Sequence, residues 1–312
     1  MSNKISIIVP VYNEENNIKI FLARLLPVLK KIDIEYEVIF TLDPSSDATE
    51  EMILAEIKKN NKIKLIVFSR RFGQPAATMA GIQNATVDRC VVIDCDLQDP
   101  PELIYDMNKK IDEGYDAVLA RRRSRKGETF VKKLITKIGY SFIEKITDIK
   151  IPKNTGDFRI ISKKILDNLK KFKEPNAFLR GLVAYIGFNQ TFVEYDRDER
   201  VKDKSKYNKY IGSLQIAFNG IFGFSSRPLF LMSLVGFIFA FISFSIGIYY
   251  IIVKFLDPTI TPGLSSTILF ITFFSGLNLI GLGLLGEYVG RIYDEVKNRP
   301  NFIIDKKYNF DE

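Results

Sequence analysis

The 312-residue chain contains no histidine and no tryptophan, and only two cysteines. Without histidine, the commonest general base at neutral pH and the commonest zinc ligand are both missing. Any chemistry must therefore run on carboxylates, basic groups and a metal held by oxygen. Cys90 and Cys95 lie within or at the end of one predicted strand, and a reduced setting with no disulfide accounts for them. No basic repeat is interleaved with aromatics, so nucleic acid is the weaker reading of the formal net charge of +8. A surface lying on anionic lipid, or a site handling phosphates, fits that charge better. The first apolar run, ISIIV, is too short for a signal peptide, and none is expected.

Charge is also missing from two long stretches, LFLMSLVGFIFAFISFSIGIYYIIV at 229–253 and SSTILFITFFSGLNLIGLGLLG at 265–286. Each is long enough to cross a bilayer as a helix, and two such runs so close together argue against buried helices of a soluble core. The flanks are basic: Lys202, Lys204, Lys206, Lys209 and Arg227 before, and Arg291, Lys297, Arg299, Lys306 and Lys307 after. The intervening segment at 254–264 is nearly neutral. The positive-inside rule then predicts a two-pass protein of the inner (plasma) membrane with both termini in the cytoplasm.

What remains is an alternating pattern. ISIIV (5–9), EYEVIFTL (35–42), KIKLIVF (62–68), RCVVIDC (89–95) and DAVLA (116–120) read as strands separated by helical segments. That alternation predicts an α/β domain with a mostly parallel, Rossmann-like sheet covered by helices, over residues 1–206. Residues 207–228, with Ile211, Leu214, Ile216, Phe218, Ile221 and Phe222 among lysines, suggest an amphipathic helix in the membrane interface or packed on the domain. Spans at 229–253 and 265–286, joined by an external loop at 254–264, and a cytoplasmic tail at 287–312 complete the expected order.

In such sheets ligands sit beyond the carboxyl ends of the strands, where VPVYNEE (9–15), LDPSSDATE (42–50), FSRRFGQ (68–74) and DCDLQDPPE (94–102) lie. Part of this is capping chemistry: Asp99 with Glu102, and Asp47 with Glu50, have the spacing of capping boxes. Asp94 and Asp96 precede the cap and stand two apart on an extended segment, so both carboxylates point to one side. Two like charges so held need a cation or a proton between them. A hard cation shared with a diphosphate fits, and Gln98 could add a carbonyl oxygen.

These segments, with TGDFR (155–159), RVKDKSKY (200–207) and LGEYVGRIYDEVKNRP (285–300), resemble the family 2 inverting glycosyltransferases. The nearer likeness is to their polyprenyl-phosphate branch, with dolichol-phosphate mannose synthase and the bactoprenol glucosyltransferases. The resemblance implies a GT-A-type fold and transfer of a hexose from a nucleotide sugar to a polyprenyl (undecaprenyl) phosphate, using Mg²⁺ or Mn²⁺. Residue by residue, it implies that Pro10, Tyr12, Glu14 and Asp43 line the pocket for the donor base and ribose. It gives Asp94, Asp96 and Gln98 to the metal, Asp96 most directly. Arg122 matches a contact to the acceptor phosphate, with Lys132 or Lys133 as a second. Asp157 lies where donor and acceptor meet, and Arg200, Ser205 and Lys206 belong to a segment closing over the diphosphate.

Two positions depart from that pattern: Pro44 stands where a glycine is usual, and so does Asp203. On residues alone, the run Arg121–Arg122–Arg123 also reads as a solvated surface, and Asp157 as a turn residue. A processive polysaccharide synthase lacks support, because this chain has no tryptophan for a Gln-x-x-Arg-Trp motif and too few spans for a channel. A non-catalytic membrane anchor would be signalled by loss of the acidic pair, which is present. Glucose is the first expectation for the sugar, with galactose, N-acetylglucosamine, mannose and aminoarabinose left open. Gly286 and Gly290, four apart, would permit close helix packing in a homo-oligomer.

Overall fold

The computed structural model describes residues 4–123, 152, 155–174, 178–196, 222–256 and 263–310. Its strands are β1 (Lys4–Val11), β2 (Glu35–Leu42), β3 (Ile63–Phe68), β4 (Arg89–Val92), β5 (Ala117–Arg122), β6 (Thr155–Ser162), β7 (Gln190–Tyr195) and β8 (Ile304–Tyr308). Its helices are α1 (Ile18–Ile32), α2 (Thr49–Ile57), α3 (Gln74–Asn84), α4 (Leu103–Asp112), α5 (Lys163–Leu169), α6 (Leu179–Ile186), α7 (Arg227–Leu256) and α8 (Leu264–Lys297).

The strands form one sheet in the order β7-β5-β6-β4-β1-β2-β3-β8. β1 pairs in parallel with β2 and β4, β2 with β3, and β5 with β7. β6 runs antiparallel to β4 and β5, and β8 antiparallel to β3. This is the mixed, mostly parallel α/β sheet that the apolar runs predict. Strands buried on both faces should be continuously apolar rather than alternating, and β1 shows why. Its Ile5, Ile7 and Val9 pack with Phe21, Leu25 and Met107 of α1 and α4, while Ile8 packs on the other face with Met79 and Ile82 of α3.

β6 is the key to the site. It enters the sheet antiparallel, so its first residues, Thr155 to Asp157, lie at the same edge as the carboxyl ends of β4 and β5. β4 ends at Val92, earlier than the apolar run RCVVIDC suggests. Ile93 still donates to the Ile8 carbonyl at 3.1 Å, and beyond it the chain leaves the sheet toward a turn with Leu97 at φ 61°.

α7 and α8 are each long and apolar enough to cross a membrane, over Arg227–Val253 and Thr267–Lys297. They pack through Phe239 against Phe273 and Phe274, with ring centroids 5.8 Å apart in both pairs. α8 continues well past the charge-free run, to Lys297. The chain then returns to the α/β domain as β8. Phe302 meets Phe68 at a ring-centroid distance of 5.7 Å, and the Asn309 amide donates to the Ile63 carbonyl at 2.8 Å.

Candidate active site

Two turns are woven together above β1 and β2. Asn13 N–H donates to Ser45 Oγ at 3.0 Å, Glu14 N–H to Thr49 Oγ1 at 2.8 Å, and Glu15 N–H to Asp47 Oδ2 at 3.2 Å. Pro10 is buried in β1, and Tyr12 stands beside it with the Arg71 guanidinium 4.0 Å from its ring centroid. Glu14 accepts from the Asn17 amide at 2.6 Å. Asp43 is buried, and its two oxygens accept the N–H groups of Phe72 and Gly73 at 2.8 and 2.9 Å. Its carboxylate therefore ties the FSRRFG turn to the end of β2. Asp47 also accepts the Thr49 N–H at 3.1 Å and the Thr49 hydroxyl at 2.6 Å, but the N-cap of α2 is Ala48 with no side-chain capping bond, so the expected Asp47–Glu50 box does not form.

After β4, burial alternates: Ile93, Cys95 and Leu97 point inward while Asp94, Asp96 and Gln98 are half-buried. Asp94 Oδ1 accepts from the Gln74 side-chain amide at 2.8 Å, and Asp96 Oδ1 from the Gln98 N–H at 3.1 Å. Burial, then the nearby carboxylates of Asp157, Asp96 and Asp99, push Asp94 well above the ordinary carboxylate range, with Arg180 opposing them. Such excess negative charge calls for a cation, so the residues present fit a hard divalent ion. Among the described residues no group of three or more His, Cys, Asp or Glu could hold a metal by itself. A bound ion would thus draw further oxygens from its ligand or from water.

Asp99 differs from expectation. It does not cap α4, whose N-cap is Glu102, with no side-chain capping bond. Glu102 instead makes a bidentate pair with Arg24, with both contacts at 2.8 Å. Asp99 turns inward, accepts from the Tyr195 hydroxyl, and lies 3.5 Å from Arg122 Nη2. Arg122 Nε also donates to the Tyr195 hydroxyl at 3.1 Å. Burial acts to lower the Arg122 pKa, but Asp99 and Tyr195 together outweigh it and the net shift is upward. Burial and Asp99 together push the Tyr195 hydroxyl up to about 12. Gly156 makes room for this cluster, since a Cβ there would stand 3.1 Å from Arg122 Nη2. The neighbouring arginines face elsewhere: Arg121 lies over the Phe192 ring at 3.7 Å, and Arg123 approaches Glu194 and Asp196 at 3.8 and 3.9 Å. The triple run is thus divided, with only its middle member turned to Asp99.

Asp157 has a partner the sequence reading missed. Arg180 Nε and Nη2 donate to its two oxygens at 2.9 and 3.2 Å. Arg159, two residues on, is fully buried and spends its donors mainly on carbonyls: Asp157 at 3.1 Å, Gly156 at 2.8 Å and Leu179 at 3.5 Å. Its Nη2 stands 3.7 Å from Asp157 Oδ1, and burial lowers its pKa to about 10. Burial would raise the Asp157 carboxyl, but Arg180, Arg159 and Arg122 outweigh it and hold it below its ordinary value. Lys132, Lys133, Arg200, Ser205, Lys206 and Asp203 lie outside the described residues, as does residues 207–221 of the expected interfacial helix.

The arrangement joins an acidic pair to a set of fixed guanidinium groups at one sheet edge. The family model "Glycosyl transferase family 2" matches residues 6–170. The chain belongs to that family. This glycosyltransferase is 39% identical over 305 residues to the SfII prophage-derived bactoprenol glucosyl transferase of Shigella flexneri, covering 98% of each chain. It is 45% identical to the uncharacterized glycosyltransferase YkcC of Bacillus subtilis, over 98% of this chain and 94% of that one. Among solved structures, glucosyl-3-phosphoglycerate synthase from Mycobacterium tuberculosis, in complex with Mn²⁺, UDP-glucose and phosphoglyceric acid, overlaps with a TM-score of 0.45 at 17% identity. That match covers 70% of this chain and 78% of that one.

Proposed function

We propose that this glycosyltransferase moves a hexose, glucose first among the candidates, from a UDP-sugar to a polyprenyl phosphate such as undecaprenyl phosphate at the cytoplasmic face of the plasma membrane. The observation that carries the reading is the meeting of Asp94 and Asp96 with Arg122, Arg180 and Asp157 at one sheet edge, in a chain with two membrane-length helices. The name of the Shigella flexneri relative supports the acceptor class and the sugar.

The chemistry asks for positioning more than for a base. A phosphate monoester loses its second proton near pH 6, so at pH 7 the lipid phosphate is mostly a dianion and already a nucleophile. Its oxygen forms a bond to the anomeric carbon as the bond from that carbon to the diphosphate oxygen breaks on the opposite face. The electron pair leaves with the nucleoside diphosphate. Pro10, Tyr12, Glu14 and Asp43 frame the donor base and ribose, and Arg200, Ser205 and Lys206 belong to the segment that covers the diphosphate. Arg122, with Lys132 or Lys133, holds the acceptor phosphate through charge-assisted contacts. Asp157, kept ionised by Arg180, orients the sugar and its guanidinium neighbours rather than removing a proton. Asp94, Asp96 and Gln98 would hold Mg²⁺ or Mn²⁺, whose charge stabilises the departing diphosphate.

The test presents purified full-length protein with UDP-glucose, UDP-galactose, UDP-N-acetylglucosamine, GDP-mannose and UDP-aminoarabinose, each with undecaprenyl phosphate, and follows labelled sugar into the organic phase. Transfer from one UDP-hexose, absent without lipid phosphate, is expected. Sugar transfer to a lipid lacking a phosphate would overturn the acceptor assignment.

A further inference from the structure

α6 carries two adjacent residues with different attachments. Arg180 holds both oxygens of Asp157, at 2.9 and 3.2 Å. Gly181, the next residue, receives the ring of Phe224 from the segment leading into α7. A Cβ at Gly181 would stand 2.4 and 2.6 Å from Phe224 Cε2 and Cζ, and 2.9 Å from Phe178 Cδ1. No side chain fits there while the phenyl ring stays. The seat is well packed on its other sides, with the Phe178 and Phe224 ring centroids 6.3 Å apart and Phe224 against the core cluster containing Leu179, Leu182 and Val183.

The segment that delivers Phe224 is gripped by both apolar helices. α7 begins at Arg227, whose N–H donates to Ser225 Oγ at 3.1 Å. From α8, the Tyr288 hydroxyl donates to the Ser225 carbonyl at 2.7 Å, and its ring meets Phe222 edge-on with centroids 5.3 Å apart. On the domain side, the start of α6 is fastened to β6 by Arg159, which reaches the Leu179 carbonyl at 3.5 Å and the Gly156 carbonyl at 2.8 Å. A short, packed route therefore runs from Tyr288 through Ser225 and Phe224 to Gly181, and from there one residue to Arg180 and Asp157.

We propose that the Phe224–Gly181 seat is a coupling joint: seating the membrane helices against α6 sets Arg180 on Asp157, so Arg180 is a positioning residue and turnover depends on that seating. The inference rests on the proposed transfer reaction for its kinetic readout, and on amide exchange for a readout independent of it. Packed elements with two discrete arrangements are what carry such coupling, and the test must show that both ends move together.

The experiment uses the full chain in lipid vesicles with UDP-glucose and undecaprenyl phosphate. Gly181→Ala should expel the ring and lower kcat about tenfold while leaving the KM for the nucleotide sugar within about twofold, a loss confined to the bound complex. Phe224→Leu removes the two nearest clashing atoms, Cε2 and Cζ, and leaves only Phe178 Cδ1 at 2.9 Å, so the double variant G181A/F224L should recover part of the lost kcat. Tyr288→Phe keeps the ring contact and removes only the hydroxyl, and should raise hydrogen exchange at the α6 amides severalfold along with a fall in kcat. Recovery in the double variant, together with faster exchange in Y288F, is the expected result. A G181A enzyme with wild-type kcat, a double variant no better than G181A, or unchanged α6 exchange in Y288F would each overturn the joint. If the wild-type protein itself shows no lipid-phosphate-dependent turnover, the transfer reading fails instead, and the exchange measurement still decides the coupling.

Discussion

Replacing Asp99 by asparagine separates two accounts of that residue by their magnitudes. A lost helix cap costs about 1 kcal/mol. In the fold, however, Asp99 Oδ1 stands 3.5 Å from Arg122 Nη2, with the two side chains 5% and 19% exposed. Unit charges at that distance attract by about 5 kcal/mol at an effective dielectric constant near 20. Desolvation offsets much of this while the pair is intact, but removing one partner strands the other, at about 3–5 kcal/mol. Asparagine keeps the shape and an oxygen that can accept from Tyr195, so the change is confined to charge. The expected loss lowers the apparent Tm of the catalytic domain by roughly 6–20 °C, read by thermal unfolding of the full chain in detergent. Because Arg122 loses its anchor, the apparent requirement for polyprenyl phosphate should rise as well. A D99N protein that melts only slightly below wild type, with unchanged dependence on lipid phosphate, would return Asp99 to a capping role and refute the ion-pair reasoning.

Other outcomes follow from the same contacts. Arg180→Gln removes the main cation that keeps Asp157 below its ordinary pKa, so burial should raise that carboxyl and move the acid limb of the kcat–pH profile upward; superimposable acid limbs would contradict this. Glu37 is buried between Lys64 at 2.8 Å and Lys4 at 3.7 Å and accepts from Ser6. Burial raises its pKa, but Lys64, Ser6 and Lys4 outweigh it and hold the carboxyl below its ordinary value of 4.5. The pair's stabilisation is therefore present above pH 4.5 and lost as pH falls through the lower folded value; Lys64→Met should cost about 3–5 kcal/mol at neutral pH, and a cost near zero would remove that role. For topology, a cysteine placed at Thr261 should react with an impermeant thiol reagent in intact cells while one at Asn3 should not; the reverse pattern would invert the orientation.

Much of the fold could be read from local pattern, and the exceptions share a cause. Apolar runs such as EYEVIFTL coincide with β2 because a strand covered on both faces must be apolar throughout. The acidic pair Asp94–Asp96 was visible because its spacing is short. Arg180 was hidden because its carboxylate lies 23 residues away, across a β6–α6 packing contact that no periodicity encodes. Asp99 was misassigned as a cap because DPPE satisfies a local rule, while its partner Tyr195 is 96 residues distant. β8 escaped notice because IDKKY is short and charged, as edge strands tend to be. Asp43 was expected at the donor, and its bonds to Phe72 and Gly73, 29 and 30 residues further on, depend on where β3 ends.

The central claim is that the nucleophile is a lipid phosphate and that the acidic pair supports departure of the diphosphate. The most direct measurement is phosphorus NMR of a reaction containing full-length protein, UDP-glucose, Mg²⁺ and undecaprenyl phosphate, run beside its Asp96→Ala variant. The account predicts that the lipid monoester resonance is replaced by a phosphodiester while UDP accumulates in equal amount, and that neither change occurs with D96A. UDP release with the lipid monoester left intact, or full conversion by D96A, would contradict it.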